Sequence, residues 1–426
     1  MEVITYDALK ETLYHETMDN GLQVYVLPKP GFQKTYATFS TKYGSVDNHF
    51  QVEGEEEISV PDGIAHFLEH KMFEEPEGDI FAKFASQGAS ANAFTSFDQT
   101  VYLFSATENI PANLETLINF VQNPYFTDQN VEKEKGIIGQ EIGMYRDNPD
   151  WRVYFGLIEA MYELHPVHID IAGTVDSIAT ITKETLYTCY NSFYHPSNML
   201  LFVVGGVDAK EVFDLVRNNQ ANKNYPPQGA INRLFQEEPT QVHEKRRQIK
   251  LPVSLPKCLF GFKDKQIGLS GEALIKRDLT TKLALDLLFG SSTKLYQKLY
   301  DMDLISDSFG HEYNSDPNYG FSAIGGDTKD PDALLKIITE EVKAMTASGF
   351  QEEDFERARK KKIGGYLRML NSPENIAHEF TRYRFRGGDL FSILSIYESL
   401  TLEEVNERLR EHIDWEQLAV SLVVSP

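Results

Sequence analysis

The sequence predicts a fold that mixes β-strands and α-helices in two similarly ordered halves. Segments of alternating apolar residues, which predict strands, are interspersed with segments of helical periodicity, and the same broad order returns in the second half of the chain. A polar, turn-rich stretch lies between the halves. The chain has 426 residues, 41% of them hydrophobic, which is enough to build the cores of two or more domains.

The first half opens with two predicted strands. Residues 22–28 alternate and end at a proline, and residues 34–43 form the next strand. The patterns that follow predict, in chain order, a helix around His66, a helix over about 79–87, strands through Asn92 and Tyr102, helices over 110–121, across Glu134 and over 153–164, a strand over 200–204 and a helix over 209–217.

The stretch 218–245 is rich in Asn, Gln, Pro and Gly. We therefore predict an N-terminal domain over 1–220, a linker over 221–245 and a C-terminal domain over 246–426. The second half then predicts a strand near 259–262, a long helix over about 279–288, strands over 308–313 and 319–325, and helices that begin at Pro331 and Glu352. Because this layout repeats that of the first half, we infer a tandem duplication.

The run His66-Phe67-Leu68-Glu69-His70 is the most informative local feature. Two imidazoles four positions apart on a helix are offset by only about 40° around its axis, so both can face one metal ion. Neutral imidazole is a preferred zinc ligand. Glu69 lies on the flank of the same face, where its carboxylate could take a proton from a metal-bound water without binding the metal.

The surrounding residues predict that this run is helical. Pro61-Asp62-Gly63 provides a stop and a cap, and Ile64, Phe67 and Leu68 form an apolar stripe. A surface helix that carries two histidines by chance is the alternative. A catalytic zinc site has three protein ligands and an open position, so a third ligand from elsewhere would distinguish the two.

The best candidate for the third ligand lies in the glutamate-rich run 132–145. Glu134 and Glu141 are two helical turns apart and are predicted to share a face with Ile137 and Ile138. A carboxylate on an apolar face needs a metal or a histidine partner, because burying an unpaired charge is costly. The alternative is a solvated helix whose glutamates have no special role.

Further runs accompany these residues in order along the chain. They are 88–100 with Asn-Ala-Phe-Thr, 147–152, 194–205, and the Ser-Ser run in 291–296. Together with the histidines and glutamates they resemble the family of pitrilysin, insulysin and the mitochondrial processing peptidases, zinc metallopeptidases with an inverted His-x-x-Glu-His motif. The resemblance covers nearly the whole chain and extends to a bacterial YmfH-like branch of the family.

The resemblance implies a fold and a metal site. The fold would be α+β, with two homologous domains, each a mostly antiparallel sheet with helices packed on one side. His66, His70 and Glu141 would bind one Zn²⁺ per chain, Glu69 would be the general base on a zinc-bound water, and Glu134 would support the site. The second half carries no such motif, so the chemistry would be confined to one copy.

The resemblance also implies a substrate and an activity. An extended peptide would add as a strand along the exposed edge that contains Asn92, Ala93 and Phe94, through main-chain hydrogen bonds. The chain would be an endopeptidase that acts on peptides in an enclosed chamber. Two alternatives remain: a non-catalytic structural or processing subunit of a complex of this family, and a zinc site with a purely structural role.

One stretch departs from the family pattern. Active single-chain members bring an arginine and a tyrosine from the second half to the zinc, just after the Ser-Ser run. Residues 295–309 contain no arginine; Tyr300 occupies roughly its position and Asp307 roughly that of the tyrosine. We therefore expect a heterodimer with a homologous subunit that lacks the zinc motif, or a homodimer.

Composition excludes several other classes. The formal net charge of −23 argues against nucleic-acid binding through a basic surface and fits either solubility or attraction of basic peptides. No G-x-G-x-x-G, P-loop or serine-elbow spacing occurs. The absence of an apolar run of eighteen residues or a signal-peptide pattern predicts no membrane insertion, and the two cysteines predict no disulfide framework. We expect a cytoplasmic protein.

Four further histidines are predicted to be structural. His165 and His168 flank a proline that disfavours a helix, so a loop is favoured over a metal pair. His195 precedes Pro196 and predicts a turn before a strand. His311 could face substrate, although a structural role is favoured.

Overall fold

The computed structural model describes residues 1–76 and 78–426. Its strands are β1 Glu2–Tyr6, β2 Glu11–Thr17, β3 Gln23–Pro28, β4 Thr35–Thr41, β5 His49–Val52, β6 Glu57–Ser59, β7 Glu74–Glu75, β8 Gly78–Asp79, β9 Ala89–Thr95, β10 Thr100–Ala106, β11 Met199–Gly205, β12 Ile231–Arg233, β13 Arg246–Lys250, β14 Lys257–Phe262, β15 Gly310–Asp316, β16 Tyr319–Asp327 and β17 Leu418–Val424.

The helices follow the same chain order. They are α1 Ile64–Met72, α2 Ile80–Ser86, α3 Ile110–Val121, α4 Asp128–Asp147, α5 Pro149–Met161, α6 Val175–Ala179, α7 Lys183–Phe193, α8 Ala209–Gln220, α9 Gly271–Phe289, α10 Lys294–Asp301, α11 Pro331–Ser348, α12 Glu352–Met369, α13 Pro373–Phe385, α14 Ile393–Ser399 and α15 Leu402–His412. Short 3-10 turns cover Pro166–His168, Pro196–Asn198, Leu390–Ser392 and Trp415–Gln417.

The chain forms two compact units, and each is built from segments that are discontinuous in sequence. The first unit comprises Met1–Ile142, Ile169–Phe235 and Met369–Phe385, and the second comprises Gly143–His168, Gln236–Arg368 and Arg386–Pro426. Helix α5 therefore belongs to the second unit and α13 to the first. The predicted domains 1–220 and 246–426 would assign each of these helices to the opposite half. The predicted linker 221–245 also contains β12, which pairs with β5 in the first unit.

The first unit contains a seven-stranded sheet with the order β1-β2-β3-β11-β4-β10-β9. Its strand pairs are antiparallel, except that β11 and β3 run parallel. One face packs on α1, α3, α7 and α8 through a core that includes Phe39, Phe67 and Val203. Helix α13 covers the other face, where Phe380 stacks on Phe202 with ring centroids 4.3 Å apart. Residues on both sides of β4 and β11 are consequently buried.

The second unit contains a five-stranded sheet with the order β13-β17-β14-β16-β15. Only β13 and β17 run parallel among its strand pairs in the described chain. Helix α5 packs against β13, β14 and β17, and α9 packs against β15. The predicted α+β class with mostly antiparallel sheets is confirmed. Most helices in the first unit lie on one side of its sheet, and α13 adds a covering for the other side.

The predicted elements of the first half correspond closely to observed ones. The 110–121 helix is confirmed in full as α3, while the 153–164 helix lies over Pro149–Met161 because Asn148 caps α5 through hydrogen bonds from the amides of Asp150 and Trp151. The elements without a sequence prediction are β1, β2, β5 to β8, α6, α7, β12, β13, α10, α13, α14, α15 and β17. Over residues 1–76 and 78–426, no helix combines the length and the apolar character needed to cross a membrane.

Candidate metal centre

Helix α1 begins at Ile64, and its N-cap residue, Gly63, has the left-handed φ of +85°. A Cβ atom at this position would lie 2.4 Å from the carbonyl oxygen of Ala172, so no larger residue fits without a backbone shift. The predicted cap is different in detail. The Asp62 carboxylate does not cap the helix but accepts a hydrogen bond from Asn48 at 2.8 Å. The predicted apolar stripe of α1 is confirmed, and it is buried.

Three side chains from two helices converge beside this stripe. His66 and His70 on α1 have ring centroids 4.6 Å apart. The Nε2 atom of His66 lies 3.8 Å from Oε1 of Glu141 on α4, and Nε2 of His70 lies 3.5 Å from its Oε2. One ligand atom from each residue lies within 4.8 Å of the others. Side-chain contacts between α1 and α4 thus bring the predicted trio together.

The trio fits a zinc ion. Ligand atoms arranged tetrahedrally around zinc are about 3.4 Å apart, because each lies about 2.1 Å from the metal. The nitrogen–oxygen distances of 3.5 and 3.8 Å are close to that spacing. Two imidazoles and one carboxylate also match the ligand types of catalytic zinc sites. No other group of three such side chains within reach of one ion occurs in the described part of the chain.

Glu134 and Lys71 support the second histidine. The Nδ1–H group of His70 donates to Oε1 of Glu134 at 3.1 Å, which leaves Nε2 on the side of Glu141. The other oxygen of Glu134 lies 3.5 Å from Nζ of Lys71, and the same ammonium donates to Glu74. Lys71 has no exposed surface. Glu134 was predicted to support the site, whereas the contribution of Lys71 was not predicted.

Glu69 lies beside the trio without belonging to it. Its Oε2 atom accepts a hydrogen bond from Oγ1 of Thr95 at 2.7 Å, and Thr95 lies at the end of β9. The Thr95 hydroxyl is 3.3 Å from that of Thr100, which in turn donates to the carbonyl of Tyr43. Each hydroxyl has only one proton, which Thr95 gives to Glu69 and Thr100 gives to Tyr43, so the Thr95 hydrogen bond alone holds the carboxylate of Glu69 at the edge strand.

The electrostatics of the site differ among its members. Burial, with the neighbouring His70 charge, lowers the pKa of His66 to about 4, so its imidazole is neutral. Burial also disfavours the charged form of His70, but the Glu134 hydrogen bond and the charge of Glu69 outweigh this and raise the pKa. Burial raises the pKa of Glu69 despite the opposing Thr95 hydrogen bond. For Glu134, the His70 and Lys71 interactions outweigh burial and lower the pKa.

Ile137 and Ile138 of α4, which were predicted to share a face with Glu134 and Glu141, have different environments. Ile138 is buried in the core of the first unit, as predicted, but Ile137 is 46% exposed. The prediction for Ile137 is wrong because this residue lies about 60° around the axis from Glu134, away from Ile138. The face that carries the carboxylates is therefore narrower than predicted.

The predicted substrate-binding residues Asn92, Ala93 and Phe94 lie on β9, which is one of the two edge strands of its sheet. The backbone N–H of Ala93 donates to the side-chain oxygen of Asn92 at 2.9 Å. The ring of Phe94 contacts His378 of α13, with centroids 5.2 Å apart. The strand that holds Glu69 through Thr95 is therefore the same strand that presents an unpaired edge.

The histidines that the sequence predicts to be structural do not belong to this group. His165 is buried and lies in a loop, as predicted, and a 3-10 turn follows it over Pro166–His168. His195 caps the turn that precedes β11, as predicted. His311 lies on β15, with Nε2 3.7 Å from Asp286, which also pairs with Lys361. These contacts agree with structural roles.

The stretch after the Ser-Ser run forms α10 and the turn before β15. Tyr300, which occupies roughly the position of the family's arginine, is 51% exposed on α10. Asp307 lies in an exposed turn. Neither carries the guanidinium that the family pattern would require.

Comparisons with known proteins agree with these features. The family described as Insulinase (Peptidase family M16) matches residues 56–175, which contain the trio, Glu69 and Glu134. The family described as Peptidase M16 inactive domain matches residues 180–362, which lack the motif. A Bacillus subtilis (strain 168) protein named uncharacterized zinc protease YmfH is 54% identical over 422 residues, which is 99% of this chain and 98% of that protein.

Solved structures show the same architecture. An M16-like peptidase from Alicyclobacillus acidocaldarius has a TM-score of 0.96 and 42% identity, and the match covers 99% of this chain and 100% of that one. A protease from Helicobacter pylori has the same fold, with a TM-score of 0.84 and 21% identity over 97% of this chain and 99% of that one.

Proposed function

Since the chain belongs to the insulinase (M16) family of peptidases, we propose that it is a zinc-dependent endopeptidase that hydrolyses extended peptides. The convergence of His66, His70 and Glu141 beside a non-ligand carboxylate, Glu69, carries the proposal. Similarity to proteins named zinc proteases supports zinc as the metal. Three protein ligands leave the open position that a catalytic site needs and a closed structural site lacks.

Bound zinc supplies a Lewis acid that polarises a carbonyl group and makes water more acidic at neutral pH. The protein supplies the proton transfer. Glu69 takes a proton from the attacking water and later gives it to the leaving amine. Burial raises the pKa of Glu69 and makes its carboxylate a stronger base, while Thr95 fixes the orientation of that carboxylate.

Glu134 acts through His70. Because the Nδ1–H of His70 donates to Glu134, the imidazole is held in the tautomer whose Nε2 is free to bind a metal. The carboxylate also makes the ring a better electron donor. Glu134 is therefore proposed to orient a ligand rather than to be one.

The peptide would bind along β9, at the edge formed by Asn92, Ala93 and Phe94. An edge strand offers main-chain donors and acceptors to an extended chain, which gives affinity without strict sequence choice. The amide of Ala93 is covered by the side chain of Asn92. The Asn92 side chain would move away when a carbonyl group of the peptide accepts the hydrogen bond from the Ala93 amide in its place.

Two substitutions test the metal and base assignments. Glu69→Gln should retain zinc and lose hydrolysis, because the amide cannot accept the proton. His70→Ala should lose both. Metal analysis and cleavage of a quenched fluorescent peptide measure the two properties, and Glu132→Gln, at an exposed position of α4, is the matched control. Full zinc retention by His70→Ala would refute the ligand assignment.

A partner subunit is the second part of the proposal. Residues 294–309 contain no arginine to stabilise the oxyanion. Since one such donor contributes about 3 kcal/mol, the chain alone should be about a hundredfold or more slower than a complete site. Adding a homologous chain without the zinc motif should raise peptidase activity by that factor. Equal activity without the partner contradicts this idea, and zinc binding with no hydrolysis even after mixing would favour the non-catalytic alternative.

A further inference from the structure

Lys71 is a charged residue on the buried, otherwise apolar face of helix α1. It follows Ile64, Phe67 and Leu68 on the stripe that α1 buries, and its side chain has no exposed surface. Burying a lone ammonium is costly, so such a residue requires partners of opposite charge. Because Lys71 is next to His70 in sequence, its partners show how Lys71 is connected to this proposed metal ligand.

The ammonium of Lys71 has two carboxylate partners. It donates to Glu74, three residues further along the chain, and lies 3.5 Å from Oε2 of Glu134. The other oxygen of Glu134 accepts from Nδ1 of His70 at 3.1 Å. The contacts form one series, Glu74 to Lys71 to Glu134 to His70, which ends at a proposed metal ligand.

We propose that Lys71 is a positioning residue for the metal centre: it holds the carboxylate of Glu134 against Nδ1 of His70, and thereby fixes Nε2 of His70 toward the metal position. The inference rests on the proposed function and adds a residue to it. Glu134 comes from α4 and Lys71 from α1, so their contact also holds the two ligand-bearing helices in register.

The physical reason is the geometry of the carboxylate. Held only by one hydrogen bond to His70, the Glu134 carboxylate could rotate about its own axis, and the imidazole could follow. A cation on the second oxygen removes that freedom, because each oxygen is then held by its own partner. Lys71 thus acts on zinc affinity through Glu134 and His70 rather than by contact with the metal.

A double-mutant cycle on zinc affinity tests this inference. Lys71→Met should weaken zinc binding about 10- to 100-fold, the range typical of residues that support a metal ligand. In a Glu134→Gln background the same change should have little further effect, because the carboxylate that Lys71 holds is already absent. Competition with a chromophoric chelator measures affinity, Lys71→Arg should restore most of it, and Lys83→Met on α2 is the control.

Two results would overturn the inference. They are unchanged zinc affinity in Lys71→Met, and an equal loss of affinity with and without Glu134, which would mean that Lys71 only stabilises the helix. Should Lys71→Met fail to fold, the cycle is run with Glu74→Gln. This change weakens the ion pair between Lys71 and the partly exposed Glu74, and so leaves the Lys71 side chain less firmly held. The same two results then decide it.

A metal-free measurement separates this inference from the peptidase proposal. In the apo protein, Lys71→Met should shift the side-chain ¹⁵N resonances of His70, and the Lys83→Met control should not. Unshifted His70 resonances also overturn the inference. If the wild-type chain hydrolyses no peptide, alone or mixed with the homologous partner, but His70 and zinc affinity respond as expected, the peptidase proposal fails and the role of Lys71 stands.

Discussion

Gly63 determines where the metal-site helix can begin. Its φ of +85° is in the left-handed region, and the space where a side chain would start is filled by the backbone of Ala172. Gly31 has a similar φ of +90° but has open space around it. Comparing substitutions at the two glycines therefore distinguishes the cost of the left-handed backbone, which both share, from the steric conflict, which only Gly63 has.

We expect Gly63→Ala to be more destabilising than Gly31→Ala. Both changes carry the cost of a left-handed alanine, about 1–2 kcal/mol, but only the first also forces the Ala172 backbone to move. Because α1 must shift with it, Gly63→Ala should also weaken zinc binding. Urea unfolding and chelator competition measure these effects. Equal stability losses in the two variants would show that the close approach to Ala172 is relieved without strain.

Individual residues of the metal site differ in how far the sequence predicts them. Helical spacing pairs His66 with His70 and Glu134 with Glu141, because residues four or seven apart on a helix share a face. The resemblance to the family implies that Glu141 is the third ligand and Glu69 the base. Lys71 also had a signal, since it falls on the apolar stripe seven residues after Ile64. Thr95 had none, because its hydrogen bond to Glu69 joins a strand to a helix.

At the scale of elements, helix α13 belongs to the core of the first unit although it lies in the second half of the sequence. It is 168 residues beyond β11 by sequence number, from Gly205 to Pro373, yet it covers the outer face of the sheet through Phe380. Phe380 stacks on Phe202 and meets the ring of Tyr25 edge-on at 5.0 Å. The first unit thus depends on a helix from the second half of the sequence.

We expect Phe380→Ala to destabilise the first unit by about 3–5 kcal/mol, because it removes a buried aromatic side chain and leaves a cavity. Hydrogen exchange should accelerate in β4 and β11 and stay unchanged in β14 and β17. Asn375→Ala, at an exposed position on the same helix, is the control. Faster exchange in the second sheet alone would contradict the assignment of α13 to the first unit.

Elements were predictable where their pattern is local. The helix α3 and the strands β9 to β11 follow from periodicity in short windows. The β1–β2 hairpin was missed because its residues are mostly half-exposed and carry a mixed polar pattern. Helices α13 to α15 lie in a charged region whose apolar positions become evident only from what they pack against.

At the scale of the whole molecule, stability in acid should depend on a buried charge network in the second unit. Asp264 accepts hydrogen bonds from Arg408 at 2.7 and 2.9 Å and from Arg277 at 3.1 Å. Burial would raise the pKa of Asp264, but the charges of His412, Arg408 and Arg277 outweigh it and hold that pKa well below the usual range. The ionised carboxylate is therefore favoured in the folded state.

This direction gives a sign to the pH dependence. Because the folded pKa is below the unfolded value of about 3.9, the contribution of Asp264 is present above that pH and is lost as the pH falls. We expect Asp264→Asn to cost about 3–5 kcal/mol at pH 7, since it leaves Arg408 buried without its charge partner. The difference from wild type should shrink below about pH 4.

Urea unfolding at several pH values measures this difference. Asp214→Asn, at an exposed position on α8, should leave stability unchanged across the same range. A constant difference between Asp264→Asn and wild type from neutral to acid pH would contradict the depressed pKa.

The sequence by itself determined the mixture of strands and helices, the His-x-x-Glu-His motif and the confinement of that motif to one half, because these depend on residues close together along the chain. The α+β arrangement and Glu141 as third ligand were implied by the resemblance to the family. Only the tertiary structure decided that α5 and α13 belong to units opposite to their halves of the sequence, that Thr95 holds Glu69 and that Lys71 holds Glu134. Those features depend on contacts between segments far apart in sequence, and no local periodicity encodes them.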